Sequence, residues 1–301
     1  LFQQLKKIEQ QYPELQKPDS PTQRVGGEAI GAFQTITHTI PMLSLGNAFS
    51  SIELKDFERK LKERLESIDI DELEYCAELK LDGLAVSLIY KDGVFVQGAT
   101  RGDGKIGEDI TQNLKTVQSI PMRLRAGVGI PTPKLLEVRG EAVMRKSVLE
   151  ELNKIQAKAN KPLFANTRNA AAGSLRQLNP ALAASRKLDF FAWDIAQIDE
   201  SIKVKLVNHS EEHKLMVQLG FKVDTHDLVA KNLDEVKVYI EKIARLRDGL
   251  PFGTDGLVIS VNDLGLRDRL GVVGKAPRYS AAYKYPAERA TTRVLEIKVN
   301  V

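Results

Sequence analysis

A β-hairpin is the sequence feature that most constrains the fold of this chain. Two runs rich in apolar, β-branched and aromatic residues, 84–90 and 94–99, are joined by Lys91-Asp92-Gly93. An Asp-Gly pair tolerates the positive φ angles that a tight hairpin turn needs, so this pattern predicts two neighbouring antiparallel strands. The hairpin favours a mixed fold with antiparallel sheets over regular βαβ units.

The rest of the chain alternates between helical and strand patterns. Apolar residues at helical spacing predict helices over residues 1–12, 52–67, 147–159, 209–219 and 233–247. Apolar runs of strand length predict further strands over residues 135–143, 188–195, 256–261 and 295–301. We therefore predict an α+β fold with antiparallel sheets, preceded by a small helical segment.

Composition narrows the class of protein without selecting a function. The 301 residues are 43% hydrophobic and 28% charged, as in an ordinary globular protein. No run approaches the roughly 20 apolar residues of a membrane span, and no signal peptide opens the chain. With one cysteine, Cys76, we expect neither an internal disulfide nor a cysteine-rich zinc site, and we expect a cytoplasmic protein. A net charge of +4 is too small to indicate nucleic-acid binding by itself.

The segment Glu78-Leu79-Lys80-Leu81-Asp82-Gly83 carries the strongest chemical signal. Alternate residues of a strand share a face, so Glu78, Lys80 and Asp82 should project together. Taken alone, this pattern is better explained by the solvated face of an edge strand. Polar groups also interrupt strand patterns at 139–141 and 255–256, however, and such breaks in local rules are typical of functional sites.

Residues 78–83 resemble the nucleophile motif of the covalent nucleotidyltransferases, which include DNA ligases, RNA ligases and mRNA capping enzymes. Further segments are similar to the bacterial NAD-dependent DNA ligases in particular. They are HTIPMLSLGNAF at 38–49, TRGDG at 100–104, EVRGE at 137–141, FANTRNAAAGSLRQ at 164–177, 255–262, KAPR at 275–278, and 282–286. The resemblance covers nearly the whole chain in order. It implies a covalent nucleotidyltransferase fold, related to ATP-grasp.

The resemblance implies that Lys80 attacks the α-phosphate of NAD, forms lysyl-AMP and releases nicotinamide mononucleotide. The AMP would then pass to the 5′-phosphate of nicked double-stranded DNA, in replication and repair. A lysine of ordinary pKa, about 10.4, needs nearby cations or partial burial to expose its lone pair. The candidates for that positive charge, and for binding phosphate oxygens, are Arg101, Arg168, Arg176, Arg247 and Lys284.

The resemblance also assigns an adenine pocket. Glu78 would read the adenine amino group through its carboxylate or the neighbouring backbone, which includes Leu79. Ser44 and Leu45 would wall the base, and Trp193 would stack on it where the family usually has tyrosine. The alternative for Trp193 is a position in the core.

Metal binding is expected only through the substrate. The resemblance implies a Mg²⁺ ion on phosphate oxygens, bridged by water to Asp82, Glu141 or Asp255, and oxygen donors suit that ion. Zinc belongs only to domains that follow this core in the family. His209 and His213 lie one turn apart on a predicted helix, but we see no third ligand nearby and expect them to be surface histidines.

Two departures from the family pattern stand out. Ser260 occupies the position where a lysine normally approaches the phosphate, and a charge-assisted bond there is worth about 1.5 to 3 kcal/mol. The residues that grip nicotinamide in the family do not precede Leu1. We expect residues 1–34 to be the tail of that helical module, 35–286 the adenylation domain, and 287–301 the start of an OB fold. Such a fragment, expected to be monomeric, should bind adenine-type ligands well, react with NAD only very slowly and seal no nicks.

Two other functions remain open on the sequence. One is another covalent nucleotidyltransferase, such as an ATP-dependent ligase, an RNA ligase or a capping enzyme. The other is an inactive DNA-binding scaffold, which Ser260 favours. The retention of Lys80, Asp82 and Lys284 argues against the scaffold, which has no use for a lysine between two acids.

Overall fold

The computed structural model describes residues 1–24, 31–66, 72–125, 131–199, 202, 206–285, 291, 293 and 295–297. Its α-helices are α1 (Phe2–Gln11), α2 (Ser51–Arg64), α3 (Thr111–Lys115), α4 (Lys146–Lys158), α5 (Thr167–Leu175), α6 (Pro180–Ser185), α7 (His209–Leu219), α8 (Leu233–Leu246) and α9 (Leu264–Leu270). Its strands are β1 (Thr35–Thr37), β2 (Gly46–Ala48), β3 (Tyr75–Leu81), β4 (Leu84–Lys91), β5 (Val94–Thr100), β6 (Ile106–Glu108), β7 (Leu135–Val143), β8 (Asp189–Ile198), β9 (Leu228–Ala230), β10 (Thr254–Val261), β11 (Val272–Val273), β12 (Ala276–Pro277) and β13 (Ser280–Lys284).

Two larger sheets organise the described residues. A five-stranded sheet has the order β2-β13-β10-β3-β9, and a four-stranded sheet has the order β5-β4-β7-β8. Strands β1 and β6 form one small ladder, and β11 and β12 form another. Neighbouring strands run antiparallel except β2 and β13, which run parallel. The predicted α+β class with antiparallel sheets is confirmed.

The hairpin predicted at 84–99 joins β4 to β5. Asp92 and Gly93 have φ angles of 47° and 74°, in the left-handed region that a two-residue hairpin turn requires. Lys91 pairs with Val94 directly beside the turn. The turn therefore fixes the register of the sheet that carries one wall of the cavity described below.

Each large sheet buries one face in its own apolar core. The inward residues of β3 and β10 include Leu79, Leu257 and Ile259, which pack against α2 and α8. Burying each such side chain contributes about 1.5 to 3 kcal/mol. Because strand residues alternate between faces, this burial leaves Glu78, Lys80 and the alternate residues of β10 on the opposite face.

Helix α5 shows how local capping places site residues. The Asn166 side chain accepts a hydrogen bond from the Asn169 backbone N–H at 2.8 Å, which is an N-cap. The helix begins at Thr167, so Arg168 lies in its first turn and Arg176 forms its C-cap. The sequence predicts an N-cap at Asn166 or Thr167 ahead of an Ala-rich helix, and the structure has it at Asn166. The helix sets the two arginines about two turns apart.

The strand predicted over residues 295–301 is wrong at residues 295–297. Leu295 and Ile297 are 91% and 84% exposed and belong to no strand. A strand needs a neighbour to satisfy its backbone, and none of the described residues pairs with them. Residues 298–301, like Ser67 at the end of the predicted second helix, lie outside the described residues. None of the described helices is both long and apolar enough to cross a membrane.

Candidate active site

A cavity of about 830 Å³ is lined by residues of both large sheets and of the loops that connect them. It gathers most of the predicted site residues: Ser44, Leu45, Glu78, Leu79, Lys80, Arg101, Glu141, Arg168, Arg176, Trp193, Asp255, Ser260 and Lys284. Leu79 packs its side chain in the core, so it faces the cavity through its backbone. Asp82 and Arg247 are not among the lining residues.

Two lysines meet one carboxylate at the floor of the cavity. Gly256 on β10 pairs with Lys80 on β3 and with Lys284 on β13, so the two lysines flank the same residue. Lys80 Nζ lies 3.2 Å from Asp255 Oδ1, and Lys284 Nζ lies 3.5 Å from Asp255 Oδ2. A Cβ on Gly256 would lie only 1.9 Å from the Tyr283 carbonyl oxygen. Glycine is therefore required for the strands to approach this closely.

Glu141 is a second acid that lines the cavity, and its carboxyl has a raised pKa. Burial raises the pKa of its carboxyl to about 7, against the opposing effects of Lys80 and Arg168. The residue before it, Gly140, has no room for a side chain, because a Cβ there would lie 2.2 Å from the Phe190 ring. The Gly-Glu pair of the EVRGE segment thus combines close sheet packing with a partly buried acid.

The arginines of α5 lie at the cavity edge and face acids. Arg168 Nη1 lies 3.1 Å from Asp82 Oδ1, and Arg176 Nη2 lies 2.8 Å from Glu108 Oε1. Asp82 follows the end of β3, and its backbone N–H donates to the Gly253 carbonyl at 2.9 Å. The strict alternation expected for Glu78, Lys80 and Asp82 therefore holds for the first two residues and ends before Asp82.

Two further arginines that the sequence predicts as phosphate-binding cations, Arg101 and Arg247, lie in different surroundings. Arg101 is exposed in the turn after β5, and it lines the cavity. Arg247 follows α8, and its guanidinium lies 5.1 Å from the centre of the Tyr285 ring. The structure thus places Arg101 with the other site residues and does not bring Arg247 into the cavity lining.

The loop that carries Ser44 and Leu45 is held by Arg139, a residue of the 139–141 break with no individual role predicted from the sequence. Arg139 is 5% exposed and donates to the carbonyls of Ile40 at 2.5 Å and Pro41 at 3.1 Å. Ser44 is fixed by its own backbone N–H, which donates to the Lys275 carbonyl at 2.8 Å. A charged residue in the middle of the apolar strand β7 was the available signal for Arg139.

Trp193 and Ser260 complete the cavity wall. Trp193 is half-buried, lines the cavity and belongs to neither apolar core, so its position suits a stacking surface better than core filling. Ser260 is buried, and its hydroxyl lies 2.6 Å from the hydroxyl of Ser280. At this position the cavity wall therefore carries two hydroxyl groups, where the family resemblance predicts the ammonium group of a lysine.

The expectation of surface histidines is wrong. His209 and His213 are 3% and 4% exposed, because they lie on the face of α7 that also buries Met216 and Leu219. Their spacing of four residues, continued at helical intervals by apolar residues, was a signal for the buried face. His209 Nε2 lies 3.2 Å from Glu78 Oε2, and His213 Nε2 lies 3.1 Å from Glu78 Oε1.

These histidines control the charge of Glu78. Burial alone opposes ionisation of this carboxyl, but the two imidazoles outweigh it and hold the pKa of Glu78 below its usual range. Burial likewise opposes the charging of His213, yet hydrogen bonds to Asp227 and Glu78 raise its pKa to about 10. Glu78 is therefore an ionised carboxylate at neutral pH, inside the protein and beside the cavity.

Several side chains near the cavity carry atoms that could bind a metal ion. Cys76, Glu78 and His209 bring ligand atoms within 4.8 Å of one another, but both nitrogens of His209 already bind carboxylates. Asp82, Glu141 and Asp255 form no such cluster among the described residues. Asp82 and Asp255 already contact cationic side chains. This part of the chain thus contains no preformed three-carboxylate magnesium site.

Known proteins are similar to this chain along its whole length. The family model of the NAD-dependent DNA ligase adenylation domain matches residues 30–288, and that of the DNA ligase-like N-terminal NAD⁺-binding domain matches residues 1–26. DNA ligases of Thermoanaerobacter sp. (strain X514) and Bacillus subtilis (strain 168) are 48% and 47% identical over 301 residues. These alignments cover 100% of this chain and 43% of each relative, so the chain spans less than half of their length.

Solved structures are less similar to this chain than these sequence relatives are. An archaeal ATP-dependent RNA ligase is 12% identical, with a TM-score of 0.41, over 81% of this chain and 48% of its own. Family membership accordingly rests on the sequence relatives.

Proposed function

The chain belongs to the family of NAD-dependent DNA ligase adenylation domains, and on that premise we propose that Lys80 is the residue that receives AMP from NAD. One observation carries this proposal. Lys80 and Lys284 flank Asp255 at the floor of a cavity that also contains Trp193. A nucleophile, a phosphate-binding cation, an acid and an aromatic surface are thus gathered within reach of one nucleotide.

The proposed step forms one bond and breaks one. The Lys80 ammonium first loses a proton, and the resulting amine attacks the α-phosphorus of NAD. A P–N bond forms, and the nitrogen releases a second proton to the departing phosphate or to solvent. The P–O bond to nicotinamide mononucleotide breaks, and that group leaves with the electron pair. Asp255 is the carboxylate in contact with Lys80, so we propose that it accepts the proton as the ammonium becomes an amine.

The cations of the cavity have a different task. Phosphoryl transfer depends mainly on positioning and on stabilising charge over the phosphate oxygens. We propose that Lys284, Arg101 and Arg168 bind those oxygens, and that Arg168 exchanges Asp82 for phosphate when the nucleotide enters. Charge-assisted contacts of this kind are stronger than neutral ones. Arg176, at the far end of α5, could reach a more distant phosphate.

Mg²⁺ fits this scheme as a partner of the substrate. Asp82, Glu141 and Asp255 offer oxygen donors of the kind that ion prefers, but they do not converge on a point. We propose that they would hold it only through bridging water, when nucleotide phosphates supply the remaining oxygens. When bound, it would neutralise phosphate charge.

The complete protein is proposed to act on DNA. The relatives of which this chain spans 43% are named DNA ligase, so we propose that the lysyl-AMP is passed to the 5′-phosphate of a DNA nick. The domain boundaries expected from the sequence, 1–34, 35–286 and 287–301, remain proposals.

Labelling with three nucleotides tests the function. The protein is incubated separately with NAD, ATP and GTP that carry a label in the α-phosphate, and the labelled protein is then quantified. We expect label from NAD alone. Label from ATP would indicate an ATP-dependent ligase, and label from GTP a capping enzyme. No label from any of the three after prolonged incubation would indicate an inactive scaffold.

A further inference from the structure

Five ionisable side chains form a chain of contacts beneath the cavity, alternating acid and imidazole. Asp227 Oδ2 lies 3.3 Å from His213 Nδ1, and His213 Nε2 lies 3.1 Å from Glu78 Oε1. Glu78 Oε2 lies 3.2 Å from His209 Nε2, and His209 Nδ1 lies 2.6 Å from Glu212 Oε2. Glu78 is the middle member, and both of its oxygens are contacted by an imidazole.

Burial makes these contacts necessary. Glu78, His209, His213 and Glu212 are all buried, whereas Asp227 is partly exposed at one end of the chain. A buried carboxylate is costly unless a charged partner compensates it, and otherwise it takes up a proton. Each Glu78 oxygen keeps a free lone-pair direction after one contact, and the residue lines the cavity. Glu78 can therefore accept one more hydrogen bond, from a ligand.

The protonation state of this carboxyl decides which ligand edge it suits. A carboxylate only accepts hydrogen bonds, whereas a protonated carboxyl also donates. The 6-position of adenine carries an amino group that donates, and that of guanine carries an oxygen that accepts. An ionised Glu78 that faces the 6-position therefore suits the amino group of a 6-aminopurine and repels the oxygen of a 6-oxopurine.

His213 couples this acceptor to the proposed stacking surface. Its Nε2 contacts Glu78 Oε1 and also lies 3.3 Å from the Trp193 carbonyl oxygen. The side chain that fixes the carboxylate thus also contacts the strand that presents the indole. His209 also contacts Glu78, but its other ring nitrogen contacts Glu212 and its backbone N–H donates to the Asn262 carbonyl.

Resting on the proposed function, we propose that His213, oriented by Asp227, is a positioning residue that keeps Glu78 ionised and correctly aimed, and so restricts the cavity to 6-aminopurine nucleotides. His213 itself need not touch the base. Loss of its N–H would leave Glu78 buried with one fewer cation, and the carboxyl would gain a proton or turn. The preference for adenine over hypoxanthine would then fall.

The test measures dissociation constants of adenosine and inosine, which differ at the 6-position. The variants are His213→Leu, which removes the donor, and His213→Gln, whose amide nitrogen can replace Nε2. His226→Gln is the matched control, because His226 contacts Asp224 and has no contact with Glu78. Asp227→Asn leaves the core intact and serves if His213→Leu does not fold. Circular dichroism reports whether each variant is folded.

We expect the parent and His226→Gln to prefer adenosine equally. His213→Leu should weaken adenosine binding by about tenfold or more, the effect of one charged hydrogen bond. It should also lower the ratio of the inosine dissociation constant to the adenosine dissociation constant. His213→Gln should recover much of the ratio, and Asp227→Asn should shift it in the same direction as His213→Leu, by less. A folded His213→Leu protein with an unchanged ratio would overturn the inference while leaving the adenylation proposal standing. A parent that binds neither nucleoside would overturn both.

Discussion

Asp255 has no partner residue on β3, yet its carboxylate contacts Lys80 of that strand at 3.2 Å. The register shifts between Thr254 and Gly256, so Asp255 is the extra residue of a β-bulge. Bulges re-aim side chains and are common beside active sites. Here the bulge lets one acid reach lysines on the strands at either side of β10.

Asp255→Asn should slow the transfer of AMP to Lys80. The amide keeps the shape of the side chain but is a poor proton acceptor, and a general base typically contributes about 10²- to 10⁴-fold in rate. Single-turnover labelling with NAD measures the effect. Asp248→Asn, at an exposed acid whose side chain is 87% accessible, is the control. Equal labelling rates in Asp255→Asn and the parent would remove the proton-accepting role.

Trp193→Ala should weaken adenosine binding by about 1 to 3 kcal/mol, the range for a base stacked on an aromatic side chain. Trp193→Phe should lose less, since it retains a ring. Calorimetric titration gives the affinities, and thermal melting shows whether the variants remain folded. A folded alanine variant that binds adenosine as tightly as the parent would show that the indole does not contact the base.

The Ser260–Ser280 pair should be replaceable by a cation. A lysine at 260 would extend into the cavity and add a positive charge near the phosphates, but it would leave the Ser280 hydroxyl without its partner. Ser260→Lys combined with Ser280→Ala avoids that loss. We expect labelling by NAD at least as fast as in the parent. If the double variant folds but takes up no AMP, the cavity has been adapted to serine.

Glu141→Gln should make stability less sensitive to pH. Because the pKa of Glu141 is raised from its ordinary 4.5 to about 7, the carboxyl contributes stability fully below about pH 4.5, and this contribution is lost as the pH rises through 7. The glutamine variant lacks this loss. Its free energy of unfolding should match that of the parent near pH 5 and exceed it near pH 8, by up to about 3 kcal/mol. Urea denaturation at both values provides the measurement, and a difference that is the same at both would contradict the assignment.

The local parts of the site could be predicted from the sequence. The Asp-Gly turn, the Asn166 cap and the opposite faces of Leu79 and Lys80 depend on neighbours within a few positions. The roles given to the lining residues came from the family resemblance, and they remain predictions. Local sequence patterns are sufficient to predict helices, strands and the face on which a side chain lies. They say much less about which helices and strands contact one another.

The missed features are all long-range. The contact between His209 and Glu78 joins residues 131 positions apart, and that between Arg139 and the Ile40 carbonyl spans 99. Periodicity could have indicated that His209, His213 and Arg139 lie on buried faces, but only the packing of α7 and β7 reveals their partners. Arg247 lies outside the cavity lining, beside the Tyr285 ring at the end of α8, and its contact with phosphate or DNA stays a prediction.

The central claim is that AMP becomes attached to Lys80, and peptide mass spectrometry after incubation with NAD tests it most directly. Lys80→Arg keeps the positive charge but cannot become a neutral nucleophile at usable pH. We predict an added AMP in the parent, mapped to the peptide that contains Lys80 and released by acid, and none in Lys80→Arg. AMP on another residue of the parent, or undiminished AMP on the folded Lys80→Arg protein, would contradict the account.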